Sequence, residues 1–278
     1  MDIEESQQNK SSSANTGEHQ LKYKNAAGYL KENICTVIAG PCAVENAEQM
    51  EKTALYLKKK GVKYMRGGAF KPRTSPYSFQ GLKEDGLKIL RETGKHHGLT
   101  TVSEAIDKES LKLALKYVDI VQIGERNMQN FALLEAVGKE QIPVILKRGH
   151  AATIDEWLFA AEYILNGGNN KIILCERGIR TFETDMRYTL DIGAISVVKS
   201  RTGLSVIIDP SHAAGAGEYV PALAMAAVAA EADGIMVEIH PTPAEALSDG
   251  MQALKLEEFG ALYDNMAKVA NALGKALI

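Results

Sequence analysis

The chain has 278 residues, of which 45% are hydrophobic and 24% are charged, and its formal net charge at pH 7 is -3. This composition is typical of a globular protein with a large core, and the mixing of both charge signs argues against a nucleic acid or a membrane surface as the main partner. The longest apolar run, residues 222–230, is too short to cross a bilayer, so we expect a cytoplasmic protein.

The first twenty residues are polar, and Ile3 and Thr16 are their only β-branched residues. Such a segment cannot bury enough apolar surface to fold. We therefore predict a disordered tail over residues 1–20 and one folded domain over residues 21–278. The segment from Tyr23 to Asn33 is expected to form a short hairpin or a plug across one end of that domain.

From Asn33 onward, short β-branched runs alternate with longer segments of helical periodicity, which is typical of parallel strands joined by crossover helices. Eight strands are predicted, at 36–40, 63–68, 100–105, 120–124, 143–149, 172–178, 206–211 and 234–240. Eight βα units in a row indicate an α/β protein with a single (β/α)8 TIM barrel and a short N-terminal extension. The alternative, an open doubly wound sheet, lacks a Gly-x-Gly-x-x-Gly turn after its first strand.

Helical segments lie between these strands. They include residues 47–61, 84–98, 108–117, 154–168, 220–232 and a last helix from Leu256 to about Leu277. Asp107 and Thr153 are suited to cap two of them at the amino end. Gly61, Gly98 and Gly167 are expected to end helices in the left-handed conformation.

Ionisable side chains gather at the carboxyl ends of the predicted strands, where a (β/α)8 barrel has its active site. They include Cys42, Arg66, Glu104, Arg126, Lys147, Arg148, Glu176, Arg177, Asp209, His212, Glu238 and His240. Such groups are costly to bury unless they are paired or bind a ligand. The cations come from several strands, so we expect a guest that carries phosphate or carboxylate groups, which Arg binds with two hydrogen bonds.

Four of the candidate residues, Cys42, His212, Glu238 and Asp249, offer a thiolate, an imidazole and two carboxylates. Singly, a cysteine is more often a small core residue, and each of the others is as often a structural hydrogen-bonding group. Together at one barrel mouth they suit a divalent ion such as Mn²⁺, Fe²⁺, Co²⁺ or Zn²⁺ in an open catalytic site. The remaining thiols, Cys35 and Cys175, are assigned to the core, and all three are expected to be reduced.

Several strings in the sequence resemble one enzyme family. They are AGPCAVE, MRGGAFKPRTSPYSFQG, QIGERNMQNF, ILKRG, ILCERGIRTFE, IDPSHAAG and VEIHPTPAEALSDG. In this order, from Thr36 to Asp249, they resemble the type I 3-deoxy-D-arabino-heptulosonate 7-phosphate (DAHP) synthases, in the subgroup most like the 3-deoxy-octulosonate phosphate synthases. The resemblance implies a metal-dependent condensation of phosphoenolpyruvate with erythrose 4-phosphate, the first step of the shikimate pathway.

The resemblance also implies roles for single residues. The metal ligands are expected to be Cys42, His212, Glu238 and Asp249. The residues expected to bind the two substrates are Arg66, Lys71, Pro72, Arg73, Thr74, Ser75, Glu125, Arg126, Lys147, Arg177 and Asp209. In the KPRTS run, Pro72 would shape the pocket of the aldose phosphate, and the three residues after it would bind its phosphate. The catalytic group is expected to comprise Lys71, Cys42, His212 and Glu104, and the sequence does not choose among Lys71, Glu104 and a metal-bound water for the proton transfers.

Two residues depart from the family pattern. Glu125 stands where many relatives carry a small residue, and a carboxylate there would oppose a bound phosphate unless it turns away or pairs. His150 stands where an apolar residue is expected.

Two other functions remain open. A 3-deoxy-octulosonate 8-phosphate synthase would use arabinose 5-phosphate, but its relatives typically carry KANRS in place of KPRTS and many carry Asn in place of the metal-binding Cys. A non-catalytic sugar-phosphate-binding barrel would be expected to lose a ligand or a cation.

We further expect a homodimer or homotetramer, because barrels associate through their helices. With about thirty-five residues before the first strand, no added regulatory module is expected, nor strong feedback inhibition by aromatic amino acids.

Overall fold

A computed structural model of the chain describes residues 21–73 and 75–278. The predicted disordered tail and Thr74 lie outside the described residues. The strands are β1 (Ile34–Gly40), β2 (Tyr64–Arg66), β3 (Thr100–Ala105), β4 (Ile120–Ile123), β5 (Val144–Lys147), β6 (Ile172–Glu176), β7 (Ser205–Ile208), β8 (Gly234–Glu238) and β9 (Ala276–Leu277). The α-helices are α1 (Ala47–Lys60), α2 (Glu84–His97), α3 (Lys108–Tyr117), α4 (Phe131–Gly138), α5 (Ile154–Asn166), α6 (Gly193–Arg201), α7 (Pro210–Ala214), α8 (Val220–Ala229) and α9 (Leu256–Ala272).

The first eight strands are parallel and close into a barrel. Each strand pairs with the next along the chain, and β1 pairs with both β2 and β8. In β1, Ile38 lies opposite Tyr64 on one side and Met236 on the other. The predicted (β/α)8 barrel is therefore confirmed.

The barrel has two layers of apolar packing. The inner layer, inside the sheet, is formed by Ile38, Val102, Ile120, Ile145, Ile173, Cys175, Ile207 and Met236. The outer layer lies between the strands and the helices, where Trp157 is fully buried and its Nε1 donates to the carbonyl of Leu146 at 3.1 Å. Continuous burial along each strand is what a parallel sheet covered on both faces requires.

The N-terminal extension closes the end of the barrel opposite the strand carboxyl ends. Lys22–Asn25 form a 3-10 turn, and Leu30 packs against the inner layer. The backbone amide of Leu30 donates to Ser205 Oγ at the start of β7, at 2.9 Å. The segment is thus a plug, and the alternative of a hairpin is wrong.

Helix ends follow the predicted signals with two exceptions. The side chains of Asp107 and Thr153 accept from Ser110 and Glu156 amides, as expected of N-caps. Gly61 and Gly98 are left-handed, but Gly167 has φ -68°, and Gly168 takes the left-handed position instead. The last helix ends at Ala272 and not near Leu277, because the chain turns at left-handed Gly274 and pairs with β1 as β9.

Among the described residues, no helix is both long and apolar enough to cross a bilayer. The three cysteines are all free and buried.

Candidate active site

The carboxyl ends of the strands surround one cavity at the barrel mouth. Its lining residues are Arg66, Lys71, Pro72, Arg73, Glu104, Gln122, Gly124, Glu125, Arg126, Lys147, Arg177, Arg187, His212 and Asp249. Seven of these side chains are cationic and three are carboxylates. An excess of Arg and Lys in one cavity favours ligands with phosphate and carboxylate groups.

The four predicted metal ligands come together at this mouth. One donor atom from each of Cys42, His212, Glu238 and Asp249 lies within 4.8 Å of all the others. Cys42 Sγ is 2.9 Å from Asp249 Oδ2, and His212 Nε2 is 3.4 Å from Glu238 Oε1. A tetrahedral ion with N, O and S ligands needs donor spacings of about 3.3 to 3.8 Å, so small side-chain shifts would let this set hold one.

Local structure fixes each donor. Cys42 follows β1 and Glu238 ends β8, while His212 lies in the short helix α7 that follows β7. Asp209 caps α7, and its Oδ1 accepts from the amide of His212 at 3.1 Å. Asp249 has φ 53°, a left-handed conformation that few non-glycine residues adopt. This conformation is held only by its surroundings, as is common at functional sites.

Asp209 orients His212 from behind. Its Oδ2 lies 2.7 Å from His212 Nδ1 and also contacts Lys147 Nζ. Burial alone would raise the pKa of Asp209, but the His212 and Lys147 charges hold it well below its usual range. A carboxylate on Nδ1 selects the tautomer whose Nε2 is free for a metal. Although the sequence assigned Asp209 to the substrates, it is fully buried and is not among the residues that line the cavity.

Protonation differs among the donors. Burial and the nearby Glu238 charge raise the pKa of the Cys42 thiol to about 12, although the Lys71 and Arg66 charges act to lower it. Burial alone would raise the pKa of Glu238, but the His212 and Arg66 charges outweigh burial and lower it to about 2. The pKa of Asp249 is also lowered, against burial, by its hydrogen bond with Cys42. Without a metal, the thiol therefore holds its proton and both carboxylates are ionised.

Two of the predicted phosphoenolpyruvate ligands contact the metal set directly. Arg66 Nη1 is paired with Glu238 Oε1. Lys71 Nζ lies 2.8 Å from Cys42 Sγ and 2.8 Å from the Cys42 carbonyl oxygen. Both cations are nearly buried, so a substrate bound by them would lie against the metal position.

The KPRTS segment is only partly brought to the cavity. Arg73 contacts Ser248 Oγ through Nη2 and donates from Nε to the Phe79 carbonyl at 3.2 Å. Pro72 lines the cavity, and its carbonyl accepts from Arg126 Nη1 at 3.0 Å. Ser75 is exposed and does not line the cavity; its Oγ accepts from the amide of Tyr77 at 3.3 Å.

Glu104 projects from β3 across the backbone of β4. Its Oε2 accepts from Gln122 Nε2 at 3.5 Å. A Cβ atom on Gly124 would come within 2.0 Å of Glu104 Oε1. A larger residue at position 124 would displace the Glu104 carboxylate, so the glycine leaves that carboxylate its position at the cavity.

Arg177 and Glu125 form the far wall of the cavity. Arg177 is 2% exposed, its guanidinium lies 4.5 Å from the centre of the Tyr188 ring, and its Nη1 is 3.0 Å from Glu125 Oε2. His150 Nδ1 lies 3.8 Å from the same oxygen. The two residues that depart from the family pattern are therefore neighbours in space.

Several residues at the mouth were not predicted from the sequence; besides Gln122 and Gly124 they include Arg187, Gln252 and Ser248. Arg187 lines the cavity and donates to Gln252 Oε1 at 3.2 Å, and Gln252 Nε2 in turn donates to Glu238 Oε2 at 2.7 Å. Ser248 Oγ lies 3.1 Å from Cys42 Sγ. Arg187 stands in the long segment between β6 and α6, and a long segment after a barrel strand is itself a signal of a site loop.

The fold and the mouth together are those of a (β/α)8 enzyme whose cavity suits small phosphorylated anions and adjoins four residues that could hold a metal ion. The sequence profile of the DAHP synthetase I family matches residues 5–274. The chain belongs to the DAHP synthetase I family, and the resemblance predicted from its motifs is confirmed.

Individual relatives agree with this assignment. A phospho-2-dehydro-3-deoxyheptonate aldolase of Thermotoga maritima is 53% identical over 239 residues, which cover 86% of this chain and 71% of the relative. A 2-dehydro-3-deoxyphosphooctonate aldolase of Rhodopseudomonas palustris is 32% identical over 267 residues, covering 86% of this chain and 91% of the relative.

Solved structures agree as well. The crystal structure of the DAHP synthase of Thermotoga maritima superposes with a TM-score of 0.88 at 51% identity, covering 90% of this chain and 73% of that one. A truncated form of the 3-deoxy-D-arabino-heptulosonate 7-phosphate synthase of Thermotoga maritima gives a TM-score of 0.84 at 46% identity, covering 90% of this chain and 91% of that one.

Proposed function

We propose that this chain condenses phosphoenolpyruvate with erythrose 4-phosphate to give DAHP and inorganic phosphate. The observation that carries the proposal is that the donor set around Cys42 adjoins a cavity lined by seven cationic side chains and by two of the donors, His212 and Asp249. Two phosphorylated substrates require several cations to bind their charges. The aldehyde must accept a weak carbon nucleophile, so its oxygen needs a Lewis acid that makes the aldehyde carbon more electrophilic.

The residues Cys42, His212, Glu238 and Asp249 would hold a divalent ion, and we propose Mn²⁺, Fe²⁺, Co²⁺ or Zn²⁺ because the set mixes a thiolate, an imidazole and carboxylates. A bound ion of this kind supplies Lewis-acid activation of an aldehyde oxygen.

Arg66, Lys147 and Arg177 would bind the carboxylate and phosphate of phosphoenolpyruvate, and all three are nearly buried. Burial strengthens the attraction between these cations and a bound anion, because water screens it less. The enol carbon of phosphoenolpyruvate would then form a bond to the aldehyde carbon of erythrose 4-phosphate. Water would add to the cationic carbon that results, and phosphate would leave by cleavage of its C–O bond.

Two groups are placed to move protons. Lys71 Nζ lies beside the metal set, 2.8 Å from Cys42 Sγ, and the Glu104 carboxylate faces the same cavity from β3. Protonated Lys71 would deliver a proton to the oxygen of the former aldehyde as the C–C bond forms. Glu104 would accept a proton from the attacking water.

The aldose phosphate would lie toward Arg73. This residue is held by Ser248 and by the Phe79 carbonyl at the rim of the cavity, so its charge is available for a phosphate at the entrance. Pro72 lacks an amide proton and a flexible side chain, which fixes the backbone next to that position. We propose erythrose 4-phosphate over arabinose 5-phosphate on the basis of this KPRTS segment.

Purified protein, stripped by a chelator and resupplied with single metals, tests the proposal. Each form is given phosphoenolpyruvate with either erythrose 4-phosphate or arabinose 5-phosphate, and phosphate release and the product are measured. Turnover with erythrose 4-phosphate in the metal-loaded protein alone supports the assignment. Equal or faster turnover with arabinose 5-phosphate would reject it in favour of the octulosonate reaction.

We also propose that the chain forms a homodimer or homotetramer. Phe131 on α4 stacks on Tyr163 of α5 with ring centres 4.5 Å apart, and both rings are partly exposed, which suits a helix-mediated contact between copies. Light scattering after size-exclusion chromatography tests the proposal, and a monomer at every concentration would contradict it.

A further inference from the structure

Glu125 stands against Arg177 where an anionic ligand would be expected. Its Oε2 is 3.0 Å from Arg177 Nη1. Among the described residues, Glu125 is the only carboxylate within ion-pair distance of Arg177. Yet Glu125 Oε2 and the Nε and Nη1 atoms of Arg177 are buried without a hydrogen-bond partner in the described part of the chain. The pair has the distance of an ion pair without its directional bonds, so Arg177 keeps donors free for another anion.

Glu125 also has a second partner on its other side. His150 Nδ1 lies 3.8 Å from the same Oε2 atom. A side pocket of about 240 Å³, separate from the cavity at the mouth, is lined by Glu125, Arg126 and His150 among others. Glu125 lines both spaces, and its Oε2 atom lies between Arg177 and His150.

We propose that Glu125 is a displaceable counter-anion of Arg177 that turns to His150 when the phosphate of phosphoenolpyruvate binds. This inference rests on the proposed function, because the displacing anion is that substrate. A phosphate and a carboxylate repel each other at short distance, so Glu125 must leave or lose its charge. An imidazolium at His150 compensates the displaced carboxylate, and binding therefore takes up a proton on His150.

The surroundings make this protonation depend on Glu125. Arg126 lines the same side pocket, and the aromatic ring of Tyr188 lies 5.6 Å from the imidazole. Arg177 and Arg187 both lie over that Tyr188 ring, and the amide of Arg180 donates to the His150 carbonyl at 2.7 Å. In the part of the chain that the structure describes, Glu125 is the one carboxylate within ion-pair distance of His150. Glu125 is therefore the opposite charge that can approach His150, whereas Arg126, Arg177 and Arg187 are cations.

Both are positioning residues in this scheme, and they predict a particular pH dependence. The KM for phosphoenolpyruvate should rise as pH increases, because a neutral imidazole does not compensate the displaced carboxylate. The substrate phosphate itself titrates near pH 6, but this contribution is common to every variant. The difference between the wild type and a variant therefore isolates the protein groups.

The variant Glu125→Gln keeps the shape of the side chain and removes its charge. At about pH 8 it should lower the KM for phosphoenolpyruvate about tenfold and leave kcat within about threefold, because one close like-charge repulsion is removed from binding. The KM of this variant should also lack the part of the rise with pH that the Glu125–His150 pair causes in the wild type. His150→Gln should show, at about pH 6, the high KM that the wild type shows only at higher pH. Once Glu125 is Gln, adding His150→Gln should change the KM little, since the two residues act as one pair.

Calorimetry supplies a readout that does not depend on turnover. Phosphoenolpyruvate alone is titrated into metal-loaded protein in two buffers of different ionisation enthalpy, near pH 7. The wild type should take up more protons than Glu125→Gln by a fraction of one proton. Thermal melts of all variants show whether they are folded, and a variant that does not fold is replaced by Glu125→Ala or His150→Asn.

The outcomes separate this inference from the proposed function. An unchanged or higher KM and an unchanged proton uptake in Glu125→Gln, with normal turnover of the wild type, would overturn the inference and leave the function standing. Absence of both phosphoenolpyruvate binding and turnover in the wild type would overturn the function, and the inference with it. A lower KM in Glu125→Gln, with a difference from the wild type that grows as pH rises, supports the inference.

Discussion

Lys71 and Cys42 are in direct contact: Nζ lies 2.8 Å from Sγ, and the same nitrogen donates to the Cys42 carbonyl oxygen at 2.8 Å. The contact joins the KPRTS segment to the proposed metal ligands. The Lys71 charge favours the thiolate, but burial opposes it more strongly, and the pKa of Cys42 is raised to about 12. The thiol therefore keeps its proton until a metal replaces it.

The first prediction is that metal binding releases the proton of Cys42. Because the folded, metal-free pKa is about 12, the thiol is protonated at neutral pH, and each metal bound displaces one proton from Sγ. Apparent metal affinity should rise about tenfold per pH unit between about pH 8 and about pH 9.5, where ordinary imidazoles are already neutral. Competition with a chromophoric chelator at several pH values measures this slope.

The Cys42→Ser variant is the matched test of the ligand. A hydroxyl stays protonated where a thiol ionises, so metal affinity should fall at least about tenfold and the slope with pH should disappear. Cys175→Ser, in the inner layer of the barrel, controls for the loss of any buried thiol. Full turnover by protein shown to be metal-free by elemental analysis would contradict the requirement for a metal.

The second prediction concerns the Lys71 charge. Lys71→Met keeps the length of the side chain and removes the cation beside Cys42 Sγ, so the thiolate is less favoured. Turnover should fall by a factor of about 100 or more even at saturating metal, since the variant lacks the proposed proton donor. Steady-state assays at a metal concentration shown by titration to saturate each protein measure this loss. Turnover near that of the wild type at saturating metal would remove Lys71 from the proton transfers.

Much of the barrel could be predicted from the period of the hydrophobic pattern. Each of the eight parallel strands overlaps its predicted span, because buried parallel strands are short continuous runs of β-branched residues. The predicted spans run past the ends of several strands, as at Arg148 and Gly149, because the pattern does not show where ladder pairing stops. The two-residue strand β9 has no pattern of its own and pairs only because α9 ends early.

The candidate site, like the barrel, could be predicted from the sequence only in part. Cys42 and Glu238 sit at the ends of β1 and β8, so closure of the barrel alone brings them near each other. Ser248 and Arg187 lie in loops, and their positions depend on contacts with Cys42 and Gln252 that no local pattern encodes. The sequence flagged Glu125 as a departure, but the direction of its side chain follows from Arg177 and His150, which are distant in the chain.

The third prediction concerns the choice of aldose phosphate. Arg73→Ala removes a cation at the entrance of the cavity, whose guanidinium contacts Ser248. The KM for erythrose 4-phosphate should rise by a factor of about 10 to 100, because a charge-assisted contact to a phosphate is lost. Binding of phosphoenolpyruvate, measured by calorimetry, should change by less than about threefold. A larger loss for phosphoenolpyruvate than for the aldose phosphate would place Arg73 on the other substrate.

The fourth prediction concerns Glu176, which supports the backbone next to Arg177. Its carboxylate is fully buried, accepts from the amide of Gly178 at 2.6 Å, and pairs with Arg148 at 3.1 Å. Glu176→Ala leaves the Gly178 amide without an acceptor and leaves Arg148 with Asp191 as its carboxylate partner, and it should cost about 2 to 3 kcal/mol of unfolding free energy. Glu176→Gln retains an oxygen for Gly178 and should cost about 1 to 2 kcal/mol. Denaturant unfolding measures both losses, with exposed Glu183→Ala as the neutral control.

The effect of Glu176 on the free energy of unfolding should also depend on pH, which the effect of a packing defect would not. Burial raises the pKa of Glu176 above its ordinary value, with the Arg148 charge opposing the rise. The folded chain therefore keeps this proton to higher pH than the unfolded chain, and the contribution of Glu176 to stability is greatest at low pH and declines as pH rises through its folded pKa. Glu176→Gln cannot ionise, so its deficit relative to the wild type should be larger near pH 4 than near pH 7. A deficit that is constant with pH would show that folding leaves the pKa of Glu176 unchanged, and a deficit larger near pH 7 would show that folding lowers this pKa.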